Sequence, residues 1–302
     1  MLSKLPLLHF DGTYPEGLWH SNWEMDPGVL LLGFFLIAGY LAIIGPINER
    51  YPGHEERTVS RKQITCFISG VVIMVVALGP PFHDWADYYL LSVHMFQHLV
   101  LMLVTAPLIL LGIPAWFFDP ITRRPWLDKI GAFLFRPVIS YLIGNMIMVL
   151  WHLPVLYNKA LDEPWVHGLQ HQAFLISGIF TWWTIIAPNP RWEKASPLIA
   201  ALLLFAETIP GAIVGAMITF AEPGLYSFYD NAPRLWGFSL RDDQELAGAS
   251  MWALVPFAYL GVLTVIFLRY ASREEAKDRA TPPARKAEGG GVTSSPAGSS
   301  GT

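Results

Sequence analysis

The amino-acid sequence predicts an all-helical, polytopic membrane protein: a bundle of seven transmembrane helices with its N-terminus outside and its C-terminus in the cytoplasm. Three observations carry this prediction. The 302 residues are 53% hydrophobic and only 15% charged, whereas soluble domains carry about 25% charged residues. Seven apolar segments each approach the roughly 20 residues that cross a bilayer. Lys and Arg are shared unevenly between alternating loops, which indicates an orientation.

The apolar segments lie between a short polar and aromatic leader and a charged, then Gly/Ser/Pro-rich tail. Residues 1–26 form the leader, residues 27–270 the predicted membrane domain, and residues 271–302 the tail. Such a tail cannot bury a core, and disorder is predicted for it. The seven predicted spans are residues 27–46, 63–80, 90–113, 136–153, 166–187, 197–220 and 246–269.

The orientation follows from the basic residues. Sixteen of the 20 Lys and Arg residues lie on one side, in loops 47–62, 114–136 and 188–196 and around the C-terminal tail. Because basic loops stay in the cytoplasm, this side is predicted to be cytoplasmic. The small net charge of −4 and the dispersed basic residues give no sign of nucleic-acid binding. The partners expected from composition are membrane lipids.

A His-x-x-Gln-His motif occurs twice, at residues 94–98 and 167–171, each time at the head of an apolar run. Histidines four residues apart lie on one face of a helix and can together hold a metal or a cofactor. The single cysteine, Cys66, excludes disulfides and cysteine-based metal motifs. The candidate metal ligands are His94, His98, His152, His167 and His171, with Met251, Met217 and Asp243 as further candidates, and Gln97 and Gln170 as groups that would fix histidine tautomers.

The predicted orientation places eight of the nine histidines on the outer side, and only His54 in the cytoplasm. Imidazole with thioether ligands suits copper, especially Cu(I), and imidazole with carboxylate also suits zinc or iron. Each residue type also has a structural interpretation. A histidine at headgroup depth can be hydrogen-bonded without a metal, a Met in an apolar helix normally packs, and a Gln can bond a neighbouring helix.

Glu207 lies in the middle of the sixth predicted span. A carboxylate at that depth is energetically expensive. One interpretation is an intramembrane relay for protons or cations. The other is a protonated carboxyl group bonded to a carbonyl that Pro210 leaves without its helical partner.

Four stretches carry a resemblance to a known family. They are residues 94–104, which begin His-Met-Phe-Gln-His; residues 151–157, Trp-His-Leu-Pro-Val-Leu-Tyr; residues 164–171, Pro-Trp-Val-His-Gly-Leu-Gln-His; and residues 243–252, Asp-Gln-Glu-Leu-Ala-Gly-Ala-Ser-Met-Trp. In order and spacing they resemble the bacterial caa3-type cytochrome c oxidase assembly factors, the Bacillus-type CtaG family, over about residues 30 to 270. One departure is Gln170, where many relatives are expected to carry an acidic residue.

The resemblance implies a plasma-membrane protein with about seven spans that assists the assembly of haem–copper oxidase. Its implied partners are the cytochrome c oxidase subunits, above all the catalytic, copper-containing subunit, and its implied role is metal handling without enzymatic activity. The residues suggest a route for copper. A Cu(I) ion from the outer face would bind between spans three, four and five, with span seven closing the site.

Two other functions remain open. Paired histidines on facing helices also hold haem iron, so a b-type haem protein is the first alternative. A metal or proton transporter with Glu207 as the relay is the second. A retinal protein is excluded because every lysine lies outside the predicted spans. Both His-x-x-Gln-His motifs lack the glutamate of the His-Glu-x-x-His zinc proteases, which argues against proteolysis.

Overall fold

The structure, a computed structural model, describes residues 25–51 and 53–280. Within these ranges every regular element is a helix and no strand is present, so the all-helical prediction is confirmed. The predicted leader, with His9 and His20, lies outside the described residues except for its last two positions.

The described part contains twelve α-helices. They are α1 (Pro27–Ala42), α2 (Arg61–Ala77), α3 (Phe82–Tyr88), α4 (Leu91–Val100), α5 (Ala106–Gly112), α6 (Asp119–Thr122), α7 (Pro125–Leu134), α8 (Pro137–Trp151), α9 (Pro154–Asp162), α10 (Pro164–Ile186), α11 (Pro197–Phe220) and α12 (Leu240–Ala280). A π-helical turn, Leu101–Thr105, joins α4 and α5 into one helical stretch of 22 residues.

A helix lies in each of the seven segments that are predicted to cross the membrane. Four helical stretches are long and apolar enough to do so: Pro27–Arg50, Leu91–Gly112, Pro197–Phe220 and Leu240–Arg273. Two bent pairs, α2 with α3 at 44° and α7 with α8 at 71°, raise the number to six if each pair is one span. Helix α10, with its histidines and glutamines, is not among them. Seven spans and the direction of the termini therefore stay predictions.

Local sequence signals set where the helices begin. Five successive helices, α7 to α11, each begin with a proline, which suits the first turn because an amide hydrogen there has no helical acceptor. Helix α2 begins with a capping box, in which the Ser60 hydroxyl accepts from the Gln63 amide and the Gln63 side chain accepts from the Ser60 amide.

Helix α12 continues ten residues beyond the predicted end of the membrane domain. Residues 271–280 are rich in Ala, Glu, Lys and Arg, which are strong helix formers. Glu275 and Arg279 also form an ion pair one turn apart, at 3.6 Å. The structure thus describes residues 271–280 of the predicted tail as helix, and residues 281–302 lie outside the described part.

The outward faces of the helices are apolar. Leu198 is 81% exposed, Phe257 is 74% exposed and Phe34 is 64% exposed, in three different helices. Soluble proteins rarely present contiguous apolar surface on this scale. Such faces are suited to contact with lipid tails, since a membrane has no water to favour polar groups.

The basic loops gather at one end of the bundle. Arg57 forms an ion pair with Asp119, and Arg191 forms one with Asp128 at 3.3 Å. Arg191 also donates to the carbonyl of Thr122 at 3.4 Å. These contacts tie together three loops that are far apart in sequence. Their grouping agrees with the charge asymmetry on which the predicted orientation rests.

Helices α11 and α12 approach each other closely at two glycines. A Cβ atom on Gly248 would lie 2.5 Å from the carbonyl oxygen of Gly215, and a Cβ atom on Gly215 would lie 2.7 Å from the carbonyl oxygen of Gly248. Small residues permit such backbone contact between helices in membranes. The two helices therefore depend on these glycines for their packing.

We expect Gly248→Ala to lower the melting temperature of the detergent-solubilised protein by several degrees. The added methyl group must displace backbone atoms of α11, and overpacking of this kind costs about 1–3 kcal/mol. Gly261→Ala is the matched control on the same helix, because its Cβ would meet nothing within 4 Å. The control should leave the melting temperature unchanged or raise it slightly. Equal melting temperatures for the two variants would contradict the packing described for this helix pair.

Candidate metal centre

Six ligand-type side chains meet at the end of the bundle opposite the basic loops. Helix α4 supplies His94 and His98, and α10 supplies His167 and His171, because each helix carries its two histidines one turn apart. The short helix α3 brings His83 and Asp87 against them. The structure therefore brings together the two His-x-x-Gln-His motifs, which are 73 residues apart in the chain.

His94, His98 and His171 form what we call the inner trio. Each offers one ring nitrogen, and the three nitrogens lie within 4.8 Å of one another. The Nε2 atoms of His94 and His98 are 3.0 Å apart. All three rings are buried, with exposures of 0%, 2% and 5%. The His98 ring stacks on Phe174 with ring centroids 3.9 Å apart, so the trio has an apolar wall.

His83, Asp87 and His167 form what we call the outer trio. Asp87 Oδ2 lies 3.3 Å from His83 Nε2 and 3.3 Å from His167 Nδ1. Asp87 Oδ1 lies 4.0 Å from His94 Nδ1 in the inner trio. These three side chains are 11–14% exposed, whereas the His94 side chain is fully buried. The outer trio is thus nearer the surface of the protein.

Asp87 is the main site residue that the sequence analysis missed. It falls in the stretch between predicted spans two and three, where no helix was predicted. The available signal was the spacing of His83 and Asp87, four residues apart, which places both on one face of a helix. The structure forms that helix, α3, and the spacing becomes a contact.

Tyr229 sets the tautomer of His94. Its hydroxyl donates to the carbonyl of Ala86 at 2.7 Å and lies 2.9 Å from His94 Nδ1. Burial, followed by the charges of Asp87 and Asp243, raises the pKa of Tyr229 well above its usual value, so the hydroxyl keeps its single hydrogen. Since that hydrogen goes to Ala86, the tyrosine oxygen accepts from His94 Nδ1. His94 Nε2 then carries a lone pair, the form that can bind a metal.

Several ring nitrogens at the site have no hydrogen-bond partner although they are buried. They are His83 Nδ1, His98 Nδ1, His152 Nε2, His167 Nε2 and His171 Nε2. Buried polar atoms in proteins are nearly always paired, and each unpaired one costs about 1–3 kcal/mol. Five of them in one place are typical of a site that accepts a ligand.

His152 lies beside the inner trio but is not a member of it. Its ring centroid is 6.1 Å from that of His98. Its Nδ1 lies 2.7 Å from the carbonyl of Met148 and donates to it, which leaves Nε2 free to accept a ligand. The Tyr226 hydroxyl donates to the His152 carbonyl at 2.8 Å and fixes this corner of the backbone. Ligation by His152 stays a prediction.

Asp243 is engaged with the beginning of α4 and belongs to neither trio. Its Oδ2 accepts from the Leu91 amide at 2.8 Å, and its Oδ1 accepts from the Ser92 amide at 3.0 Å and the Ser92 hydroxyl at 2.5 Å. This is helix capping by a residue 151 positions beyond Ser92, with the negative charge at the positive end of the helix dipole. The contact positions the helix that carries His94 and His98.

The remaining predicted residues have structural contacts. Met251 is buried in an apolar cluster with Met95, and Met217 packs against the same cluster. The Gln97 amide nitrogen donates to the carbonyl of Ala77 in α2 at 2.6 Å. Gln97 therefore bonds a neighbouring helix, as the structural interpretation of this residue predicts. Both amide atoms of Gln170 are buried without a hydrogen-bond partner. Metal ligation by either methionine stays a prediction.

Glu207 is buried between α11 and α8. Its Oε2 accepts from the Asn145 side chain at 2.9 Å, while Oε1 has no partner. Pro210 does free the carbonyl of Ala206, but the Tyr141 hydroxyl donates to that carbonyl at 3.3 Å. The interpretation of Glu207 as the partner of the freed carbonyl is therefore wrong. A relay function of Glu207 stays a prediction.

The fold and site define a helical protein with membrane-length helices and a buried histidine cluster at one end. The chain belongs to the cytochrome c oxidase caa3 assembly factor family, whose sequence profile matches residues 38–273. This match confirms the resemblance found in the sequence.

Similar proteins occur in mycobacteria. Uncharacterized proteins of Mycobacterium bovis and Mycobacterium tuberculosis are each 24% identical over 270 residues, and one of Mycobacterium leprae is 23% identical over the same length. Each alignment covers 83% of this chain but 40% of the relative, so the chain spans less than half the length of these curated relatives. No solved structure matches the chain.

We expect Asp243→Asn to lower the melting temperature in detergent by a few degrees. Asparagine has one acceptor oxygen, so at least one donor at the start of α4 loses its partner, at a cost of about 1–3 kcal/mol. Glu245→Gln is the matched control, since the Glu245 side chain is 45% exposed and, among the described residues, its ion-pair partner is exposed Arg241. A control that melts as low as Asp243→Asn would show that the cap does not stabilise the helix.

Proposed function

We propose that this protein is a multi-pass plasma-membrane assembly factor of haem–copper cytochrome c oxidase that handles copper as cargo and is not an enzyme. In this proposal the inner trio holds Cu(I) at the outer face. The partner is the oxidase subunit that receives the copper. Membership of the assembly factor family supports the process, and the histidine geometry supports the chemistry.

One observation carries the proposal: three imidazole nitrogens lie within 4.8 Å of one another in a buried, apolar site. Neutral imidazole is a good ligand for copper. The inner trio contains no carboxylate, so a bound monovalent ion would bring a single charge into the interior. A divalent ion would cost more, because the penalty for removing a charge from water rises steeply with that charge. The donor set therefore favours Cu(I).

The donor set also suits transfer. No thiolate is near the cluster, since Cys66 lies in the half of α2 that faces the basic loops. Imidazoles hold Cu(I) less tightly than thiolates do. An assembly factor must release its metal to the acceptor, so moderate affinity is an advantage. Binding would also pair nitrogens that otherwise have no partner, such as His171 Nε2.

We expect the purified full-length protein to retain about one Cu(I) per chain after loading under reducing conditions and washing. The double variant His94→Ala/His98→Ala should lose this copper because two of its three ligands are gone. His54→Ala is the control, since His54 precedes α2 at the end of the bundle opposite the histidine cluster. Elemental analysis gives the stoichiometry, and an unchanged value in the double variant would falsify the assignment.

The optical spectrum of the same samples separates the alternatives. A haem-type spectrum in the wild type that is lost in the double variant would show that these histidines bind haem, and haem would then take the place of copper in the proposal. A bacterial strain that lacks the gene should regain copper in its oxidase with the wild-type protein and with His54→Ala, and not with the double variant.

A transport assay tests the second alternative. If the protein carries copper into proteoliposomes and Glu207→Gln abolishes this flux, the protein is a transporter.

A further inference from the structure

We propose that the outer trio, His83, Asp87 and His167, is a second metal site that holds a divalent transition cation of the zinc type. It lies directly against the inner trio and differs from it in charge and depth. This site is separate from the Cu(I) site proposed above and does not depend on it.

The ligand atoms are already spaced for coordination. Asp87 Oδ2 lies 3.3 Å from His83 Nε2 and from His167 Nδ1. Metal–ligand bonds of about 2.0–2.1 Å at tetrahedral angles separate neighbouring ligand atoms by about 3.3 Å. Two imidazoles and a carboxylate are also a common set of three protein ligands for zinc, with a fourth position left for water or another ligand.

Charge favours a divalent ion here. The Asp87 side chain is only 14% exposed, and among the described residues its ion-pair partners are His83, His94 and His167, with no Lys or Arg. One of its oxygens, Oδ1, has no hydrogen-bond partner. A buried carboxylate without a permanent cation is costly, and a bound metal would compensate its charge. The inner trio has no carboxylate, which is why the two sites differ in the ions they favour.

The two trios share a boundary but differ in their members. The His167 ring has its centroid 5.2 Å from that of His94 and 4.3 Å from that of His171, so His167 contacts both groups. A variant of His167 would therefore disturb both sites. His83 and Asp87 are the residues that test the outer trio, and His94 with His98 test the inner one.

The experiment is Zn²⁺ loading of the full-length protein in detergent, followed by washing and elemental analysis. We expect about one Zn²⁺ per chain in the wild type and in His94→Ala/His98→Ala. His83→Ala and Asp87→Asn should each weaken zinc binding at least about tenfold, because each removes a direct ligand. Asp84→Asn is the matched control: it makes the same chemical change on the same helix, but Asp84 is not in the trio.

Two readouts keep the test decisive if a variant is unstable. Each variant is first checked for a monodisperse gel-filtration peak. Co²⁺ is then used in place of Zn²⁺. Its visible absorption reports tetrahedral coordination, so the signal comes from the folded fraction of each sample. Cobalt absorption that is present in the wild type and in Asp84→Asn, and absent in Asp87→Asn, supports the site.

Three results would overturn the proposal. Wild-type protein that binds no zinc would do so, as would zinc that is lost equally in Asp84→Asn. Zinc that is lost in His94→Ala/His98→Ala but kept in Asp87→Asn would place the ion in the inner trio. Because copper and zinc are measured separately, a protein that binds zinc and no Cu(I) would contradict the proposed function alone.

Discussion

The arrangement of this protein depends on the cost of burying imidazoles. Histidines at the end of an apolar bundle must find partners, since an unpaired buried nitrogen is unfavourable. The protein supplies partners for some of them: Tyr229 for His94, Asp87 for His83 and His167, and a backbone carbonyl for His152. Five other ring nitrogens, among them His98 Nδ1 and His171 Nε2, are buried without a hydrogen-bond partner. A polar cluster that is only partly satisfied in this way is stable with a cation and costly without one.

Distant parts of the chain hold this cluster in place. Asp243 at the start of α12 caps α4, and Gln244 beside it accepts from the amides of Gly224 and Leu225. Tyr229, in the connection between α11 and α12, reaches both α3 and α4. The last helix and the connection before it therefore fix where the first histidine pair lies. The fourth stretch of the family resemblance thus supports the site by positioning the helix that carries His94 and His98.

The two ends of the bundle have different chemistry. Arg57, Arg191 and their carboxylate partners join the loops at one end, whereas histidine, tyrosine and aspartate gather at the other. The proposed function gives this division a meaning, because an assembly factor that handles copper would present it on one side of a membrane. The outer trio lies nearer the surface than the inner trio, so a metal ion that enters from this end would meet the outer trio first.

The sequence by itself determined that the seven apolar segments are helical and that the two histidines of each motif share one helix face. Apolar runs, prolines at helix starts and the four-residue spacing are local signals, and they are read without knowing the fold. Contacts between helices were decided only by the tertiary structure. The structure shows that Asp243, a candidate ligand, caps α4. It also shows that the carbonyl freed by Pro210 accepts from Tyr141 and that Asp87, which the sequence analysis did not single out, contacts His83 and His167. The physical reason is that spacing fixes a residue's face on its own helix, whereas its partners depend on how neighbouring helices rotate and at what depth they meet.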